Sequence, residues 1–383
     1  FYNNADVYDK LPDDIPYKIY VGEYAAIGRP SLYSSLAEAA YLTGVERNAD
    51  KVQMVSYAPL IENAAHGKDH LLVLKNDSVY GRTNYYVLKM FSENRPDVNL
   101  HTDLKPASPE PVFRTNGFIG LGTNNTEAQF KDLKVIVNGE EIYTSGWSDF
   151  VDKWTIIRGD WKMEGNLLSQ SQKGIDALAI LEDREFDDCT IELKAKKISG
   201  TEGFRIVFGG TDSNNYFMAD IGSHTNESVI FREVNNEGPI SLFDYRNTAS
   251  IKTDQWYTVR IEIEGAHWKC FLNDELQYEY TYAPKKKHYV VSGYDRERKE
   301  VIVKLVNAEA GNWKVRLQLD KAKNLASKGT KIVLGADDRF DENSFSDPLK
   351  IVPNVTELSG ISSEFTIDCQ ANSLTVLRIP CEK

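Results

Sequence analysis

The stretch Tyr17-Lys18-Ile19-Tyr20-Val21-Gly22-Glu23-Tyr24-Ala25 decides how the first quarter of this chain folds. Its first five residues favour a strand, follow the Pro-rich turn Leu11–Pro16, and run into Gly22. Pro30-Ser31 then opens a segment with Leu32, Leu36, Ala39, Ala40 and Leu42 at helical spacing, with Gly44 as its expected stop. A second apolar run, Val52–Ala58, ends at Pro59, and Leu71–Leu74 reads as a short strand or extended loop. Tyr85, Val87, Leu88, Met90 and Phe91 predict a helix over 84–92, closed by Pro96. Strand, helix, strand, helix implies parallel strands joined by crossover helices.

The pattern then changes. From Val98 onward the chain reads as short alternating strands separated by Gly, Asn and Asp turns. Gly117–Leu121, Phe130–Val137, Thr190–Lys194, Phe204–Phe208, Tyr257–Glu264 and Trp268–Leu272 all fit half-buried strands. The Pro-rich linker Lys105–Pro111 and Tyr282-Ala283-Pro284 bracket that block. Beyond it, Val290–Tyr294, Val301–Asn307, Lys314–Leu319, Lys331–Leu334 and Leu374–Ile379 form a third β region. Such spacing predicts two mainly antiparallel β-sandwiches, in series or one inserted in the other.

Composition narrows the function classes. With 383 residues the chain has room for two or three domains. A net charge of −12 argues against a phosphate-binding surface, so no nucleic-acid partner is expected. Lys285-Lys286-Lys287 and Lys194-Ala195-Lys196-Lys197 read as solvated surface. No apolar run approaches the roughly 20 residues of a membrane span. The first residue is Phe1, not Met, so we expect further residues upstream. Cys189, Cys270, Cys369 and Cys381 have no metal-binding spacing; they could supply one disulfide, with its pairing unassigned.

Four stretches, in order, carry a resemblance. Tyr20-Val21-Gly22-Glu23-Tyr24-Ala25 resembles the nucleophile-bearing strand of family 51 α-L-arabinofuranosidases. Ser35-Leu36-Ala37-Glu38-Ala39-Ala40-Tyr41-Leu42-Thr43-Gly44-Val45-Glu46-Arg47-Asn48 resembles the helix after it. Met54-Val55-Ser56-Tyr57-Ala58-Pro59-Leu60 is similar to the family's last barrel strand, and Tyr80-Gly81 with Asn84-Tyr85-Tyr86-Val87 to its closing helix. The resemblance is close over residues 17–92. It is weaker at Asn372-Ser373-Leu374-Thr375-Val376-Leu377-Arg378, which looks like the last strand of the C-terminal sandwich. Gly117-Phe118-Ile119-Gly120-Leu121-Gly122, Phe130–Val135, Trp256–Arg260 and Leu272-Asn273-Asp274 are similar to a laminin-G-like module.

The resemblance implies a multidomain chain. Residues 1–96 would be the last two βα units of a (β/α)8 barrel, 97–107 with 285–383 a β-sandwich, and 108–284 an inserted laminin-G-like or jelly-roll sandwich. It also implies a periplasmic or secreted retaining glycosidase acting on arabinose-containing polysaccharides or oligosaccharides. Glu23 would be its nucleophile, at the C-terminal end of a barrel strand. Retention needs a second carboxyl about 5–5.5 Å away as acid/base. In this family that residue lies in an Asn-Glu pair several strands earlier, and only 22 residues precede Glu23. Asn226-Glu227 and Asn236-Glu237 fall in the β module and are not expected to act. The missing N-terminal barrel part is therefore expected as a companion fragment, and the chain alone is expected to be inactive. The competing reading is a non-catalytic carbohydrate-binding or scaffold protein that keeps a barrel remnant.

Other candidates carry less. Family members have a Trp and a Pro where this chain reads His66-Gly67-Lys68-Asp69-His70; the two His read as loop rather than metal ligands, and the substrate-binding residues stay unassigned. Trp256 and Trp268 could stack on sugar, but core positions are the preferred reading. No cofactor is expected. Asp212-Ser213-Asn214-Asn215 has the hard oxygens a structural Ca²⁺ takes, but these are also ordinary turn formers.

Overall fold

The computed structural model describes residues 2–26, 30–65, 71–106, 112–145, 147, 150–235, 238–320 and 322–382. Most of it is antiparallel sheet with few helices, in two compact units. One unit comprises Phe1–Pro109 with Lys285–Lys383, and the other Glu110–Pro284.

The first unit begins with β1 (Ile19–Tyr24), α1 (Leu32–Arg47) and β2 (Val52–Tyr57). β1 and β2 pair in parallel, Ile19 with Val52, Tyr20 with Met54 and Val21 with Val55. The strand-helix-strand reading of residues 17–58 thus describes a right-order crossover pair. A small sheet follows, of β3 (Ile61–Asn63), β4 (Leu72–Lys75) and β5 (Ser78–Gly81), then α2 (Thr83–Glu93). Gly44 does not stop α1, which runs three residues further. A Cβ there would meet the Ala5 carbonyl oxygen at 1.8 Å. Glycine is used at this position for close backbone approach, which local sequence cannot reveal.

β6 (Val98–Leu100) joins the edge of a six-stranded antiparallel sheet with His288–Asp295, Glu300–Asn307, Ser373–Pro380, Lys328–Gly335 and Asn354–Ser359, in that order. One face buries Ile302, Val306, Leu334, Leu374 and Val376 against α1 and α2. The opposite face buries Val301, Val303, Leu305, Leu377 and Ile379 against the two-stranded sheet of Trp313–Gln318 and Glu364–Cys369. Strict alternation along Glu300–Asn307 makes this two-sided burial possible. Asn354–Ser359 escapes a sequence reading because only Leu358 is buried in that edge strand.

The second unit consists of a seven-stranded and an eight-stranded antiparallel sheet enclosing one core, which includes Phe130, Phe204, Phe208, Phe231, Trp147 and Trp268. In strand Thr126–Val137 the buried positions change from Ala128 and Phe130 to Leu133 and Val135. Asp132, at φ 55°, absorbs the extra residue as a bulge. All four cysteines are buried free thiols, so the structure forms no disulfide among them.

Candidate functional site

β1 and β2 are parallel, so their C-terminal ends lie on the same side, where the turn into α1 also starts. Between Val21 and Tyr24, β1 spends three steps while β2 spends two from Val55 to Tyr57. That irregularity falls on Gly22 and Glu23. Bulges of this kind re-aim side chains and cluster beside active sites. Glu23 is solvent-exposed there, whereas the next residue, Tyr24, is buried against Tyr57 and Tyr41 at 5.2 and 5.6 Å between ring centroids.

The faces of the pair differ. Val21 and Val55 pack into the helix-side core, while Tyr20 and Met54, partners across the strands, are each 55% exposed. Val52 is buried, and the pairing puts Tyr20 and Met54 together on the bare side.

Behind Tyr24 lies a carboxyl that the sequence reading passed over. Glu38 of α1 is only 2% exposed. Its Oε1 accepts the Ala26 N–H at 2.9 Å and the Tyr57 hydroxyl at 3.2 Å. The Asn84 side-chain amide donates in turn to the Tyr57 hydroxyl. Burial pushes the Glu38 carboxyl up to about 7, against the pull of these hydrogen bonds, and the Glu342 charge adds to the rise. Burial first, then the Glu38 charge, raises the Tyr24 hydroxyl above its usual range, so it stays neutral. The available signal was α1 itself: every residue from Ser35 to Gly44 is buried, so an acid inside that run needs internal partners.

Glu342 reaches the same end of the unit from the long connection between Lys328–Gly335 and Asn354–Ser359. It accepts the Thr83 N–H at 2.8 Å and the Thr83 hydroxyl at 3.0 Å. It thereby caps α2, whose own N-cap, Arg82, makes no side-chain cap. From the same connection, the Asp341 and Arg339 carbonyls accept the N–H groups of Leu32 and Tyr33 at the start of α1. Glu342 lines a small polar cleft with Ala26, Pro30, Ser34, Tyr57, Arg82 and Asn84. A larger apolar cleft in the second unit, lined by Phe150, Trp154 and Trp161 among others, holds no carboxylate.

Glu38 makes stability pH-dependent. Its folded value, about 7, exceeds its ordinary 4.5, so the folded chain holds a proton that the unfolded chain releases. The contribution is complete below about 4.5, falls as pH rises through about 7, and amounts to about 3 kcal/mol. Urea midpoints at pH 5 and pH 8 are expected to show this loss in the wild type. Glu38→Gln should remove that portion; an unchanged pH slope in the variant would count against it.

The other candidates resolve individually. Trp268 is fully buried and donates to the Thr115 hydroxyl at 2.7 Å. Trp256 is half-buried, but Lys131 and Lys196 ammonium groups lie 4.3 and 5.1 Å from its ring centroid, where a stacked sugar would need access. Asp212 accepts the Asn214 N–H and the Asn215 side-chain amide, both turn hydrogen bonds. The Asn226 side chain donates to the Ile251 carbonyl and accepts its N–H, tying two segments 25 residues apart, which gives Asn226-Glu227 a structural task. His66, His70 and Asn236-Glu237 lie outside the described residues. Among the described residues, no group of three or more His, Cys, Asp or Glu is gathered to hold a metal ion. No described helix is long and apolar enough to cross a membrane.

Comparison with known proteins gives this geometry a family. The extracellular exo-α-L-arabinofuranosidase of Streptomyces chartreusis is 29% identical over 385 residues, covering 99% of this chain and 46% of that protein. α-L-Arabinofuranosidase 1 of Arabidopsis thaliana is 32% identical over 195 residues, covering 48% of this chain and 28% of that protein. The chain therefore spans less than half the length of these curated relatives. An arabinose-bound GH51 α-L-arabinofuranosidase structure aligns with all of this chain and 35% of its own, at 15% identity and a TM-score of 0.48. The family described as the α-L-arabinofuranosidase C-terminal domain matches residues 21–373. The chain belongs to that family, the one its motifs over residues 17–92 resemble.

Proposed function

We propose that this chain is the C-terminal part of a retaining α-L-arabinofuranosidase that removes terminal arabinofuranosyl groups from hemicellulose or pectin side chains. The observation that carries the reading is Glu23 exposed on a bulge at the C-terminal end of β1, in a parallel pair. In this reading β1 and β2 are two strands of a (β/α)8 barrel. The exposed Tyr20 and Met54 would face its interior, where side chains from other strands fill the layers. Residues 108–284 would be an inserted laminin-G-like sandwich. The extracellular relative supports secretion.

Glu23 attacks the anomeric carbon as the leaving group departs, and its carboxylate oxygen forms the new bond to the sugar. A second carboxyl protonates the leaving oxygen, then deprotonates the water that releases arabinose. That acid/base would come from further barrel strands, supplied by a companion part of the same enzyme.

The test compares this chain alone with the chain joined to the polypeptide encoded upstream of it, using an aryl α-L-arabinofuranoside. Turnover is expected only from the joined protein. Turnover by this chain alone would overturn the need for a companion. A folded joined protein without turnover would favour the carbohydrate-binding or scaffold reading.

A further inference from the structure

We propose that Glu38 is a positioning residue for Glu23, holding through the Ala26 amide the turn that follows the Glu23-bearing strand. The inference rests on the assignment of Glu23 as nucleophile and adds to it the element that fixes its backbone. Two residues, Tyr24 and Ala25, separate Glu23 from Ala26, whose N–H donates to Glu38 Oε1 at 2.9 Å. The same oxygen receives the Tyr57 hydroxyl at 3.2 Å from the end of β2, and Asn84 of α2 donates to that hydroxyl. One carboxyl thus ties the end of β2 and, through the Tyr57 hydroxyl, α2 to the backbone just beyond β1. An apolar residue would fit the buried α1 face without the expense of desolvating an acid, so Glu38's partners account for its presence there.

Glu38 is not itself a catalytic residue. At 2% exposure, with Oε1 engaged by Ala26 and Tyr57, it has no open path to a substrate. Its influence passes through position and charge. The groups acting on it are Tyr24 from β1, the Ala26 amide, Tyr57 from β2, Asn84 from α2 and Glu342; Tyr41 packs on Tyr24, and Arg82 lines the cleft beside Glu342. Burial pushes Glu38 up to about 7, so its charge appears as pH passes neutrality, behind the backbone that follows the Glu23-bearing strand. A displacement of about 1 Å at a reacting group costs on the order of 10²-fold in rate.

The test uses Glu38→Gln, Glu38→Leu and Glu23→Gln in the joined enzyme, with two measurements. One is hydrogen exchange at the Ala26 amide, and the other is kcat and KM for an aryl α-L-arabinofuranoside across pH. Glu38→Leu is expected to speed Ala26 exchange roughly tenfold or more. It should also lower kcat about 10²-fold with little change in KM. Glu38→Gln keeps an acceptor oxygen, so it should retain Ala26 protection and most of kcat while losing the inflection of kcat near pH 7. Wild-type kcat in Glu38→Leu, with Glu23→Gln inactive, would overturn the inference. So would a wild-type inflection persisting in Glu38→Gln, which decides the matter even if Glu38→Leu fails to fold. An active Glu23→Gln enzyme would instead overturn the nucleophile assignment, while the exchange measurement still reads the anchor.

Discussion

Glu23→Gln in the joined enzyme is expected to lower kcat for an aryl α-L-arabinofuranoside by about 10⁴-fold or more, the scale of losing a nucleophile while the rest of a site survives. The amide keeps the shape of the carboxylate but neither its charge nor its nucleophilicity, so the covalent intermediate cannot form. Glu23 is exposed, and exposed substitutions usually change stability by no more than about 0.5 kcal/mol, so the folded state should survive. Loss of activity with an unchanged unfolding transition is therefore the expected pair of results. Glu23→Ala offers a second readout, because the shortened side chain leaves room for a small anion. Added azide should restore turnover and give a glycosyl azide of inverted configuration. A Glu23→Gln enzyme within tenfold of wild type would remove Glu23 from the chemistry.

What the sequence revealed follows the range of the interactions concerned. β1, α1, β2 and α2 are written in local periodicity, and Glu23 stands out because it ends a strand inside a recognisable motif. Gly44 misled because its purpose is the Ala5 carbonyl, 39 positions away in the chain. Glu38 was unremarkable among Leu36, Ala37, Ala39 and Ala40, since only the fold shows that this helix is buried on every side there. Glu342 could not be read at all: it caps α2 from 259 residues downstream of Thr83. Local signals therefore located the proposed nucleophile, while the residues that hold its surroundings depend on tertiary contacts.

The same dependence sets the second large effect. Lys304→Ala is expected to destabilise the first unit by about 3–5 kcal/mol, the usual loss when one partner of a buried ion pair is removed. Lys304 sits mid-strand in Glu300–Asn307, on the face that packs against α1, and its side chain is fully buried. Its Nζ donates to Glu46 Oε1 at 2.6 Å and lies 4.9 Å from the Phe91 ring centroid. Burial is the largest influence on both partners: it lowers the Lys304 value and raises that of Glu46, each toward the neutral form, and the ion pair opposes both shifts. Replacing both halves by apolar groups is therefore expected to cost much less than removing either half alone. Lys304→Ala leaves the Glu46 carboxylate facing an apolar gap. Lys304→Met with Glu46→Leu removes both charges and refills the space, and should come within about 1 kcal/mol of wild type or exceed it. Urea denaturation of wild type, Lys304→Met, Glu46→Leu and the double variant closes a double-mutant cycle and measures the coupling directly. The contrast should be largest at pH 8, because at low pH the stranded Glu46 escapes its penalty by taking up a proton. A Lys304→Ala chain within 1 kcal/mol of wild type at pH 8 would mean that water reaches Glu46, and that the helix-to-sheet layer is looser than its packing indicates.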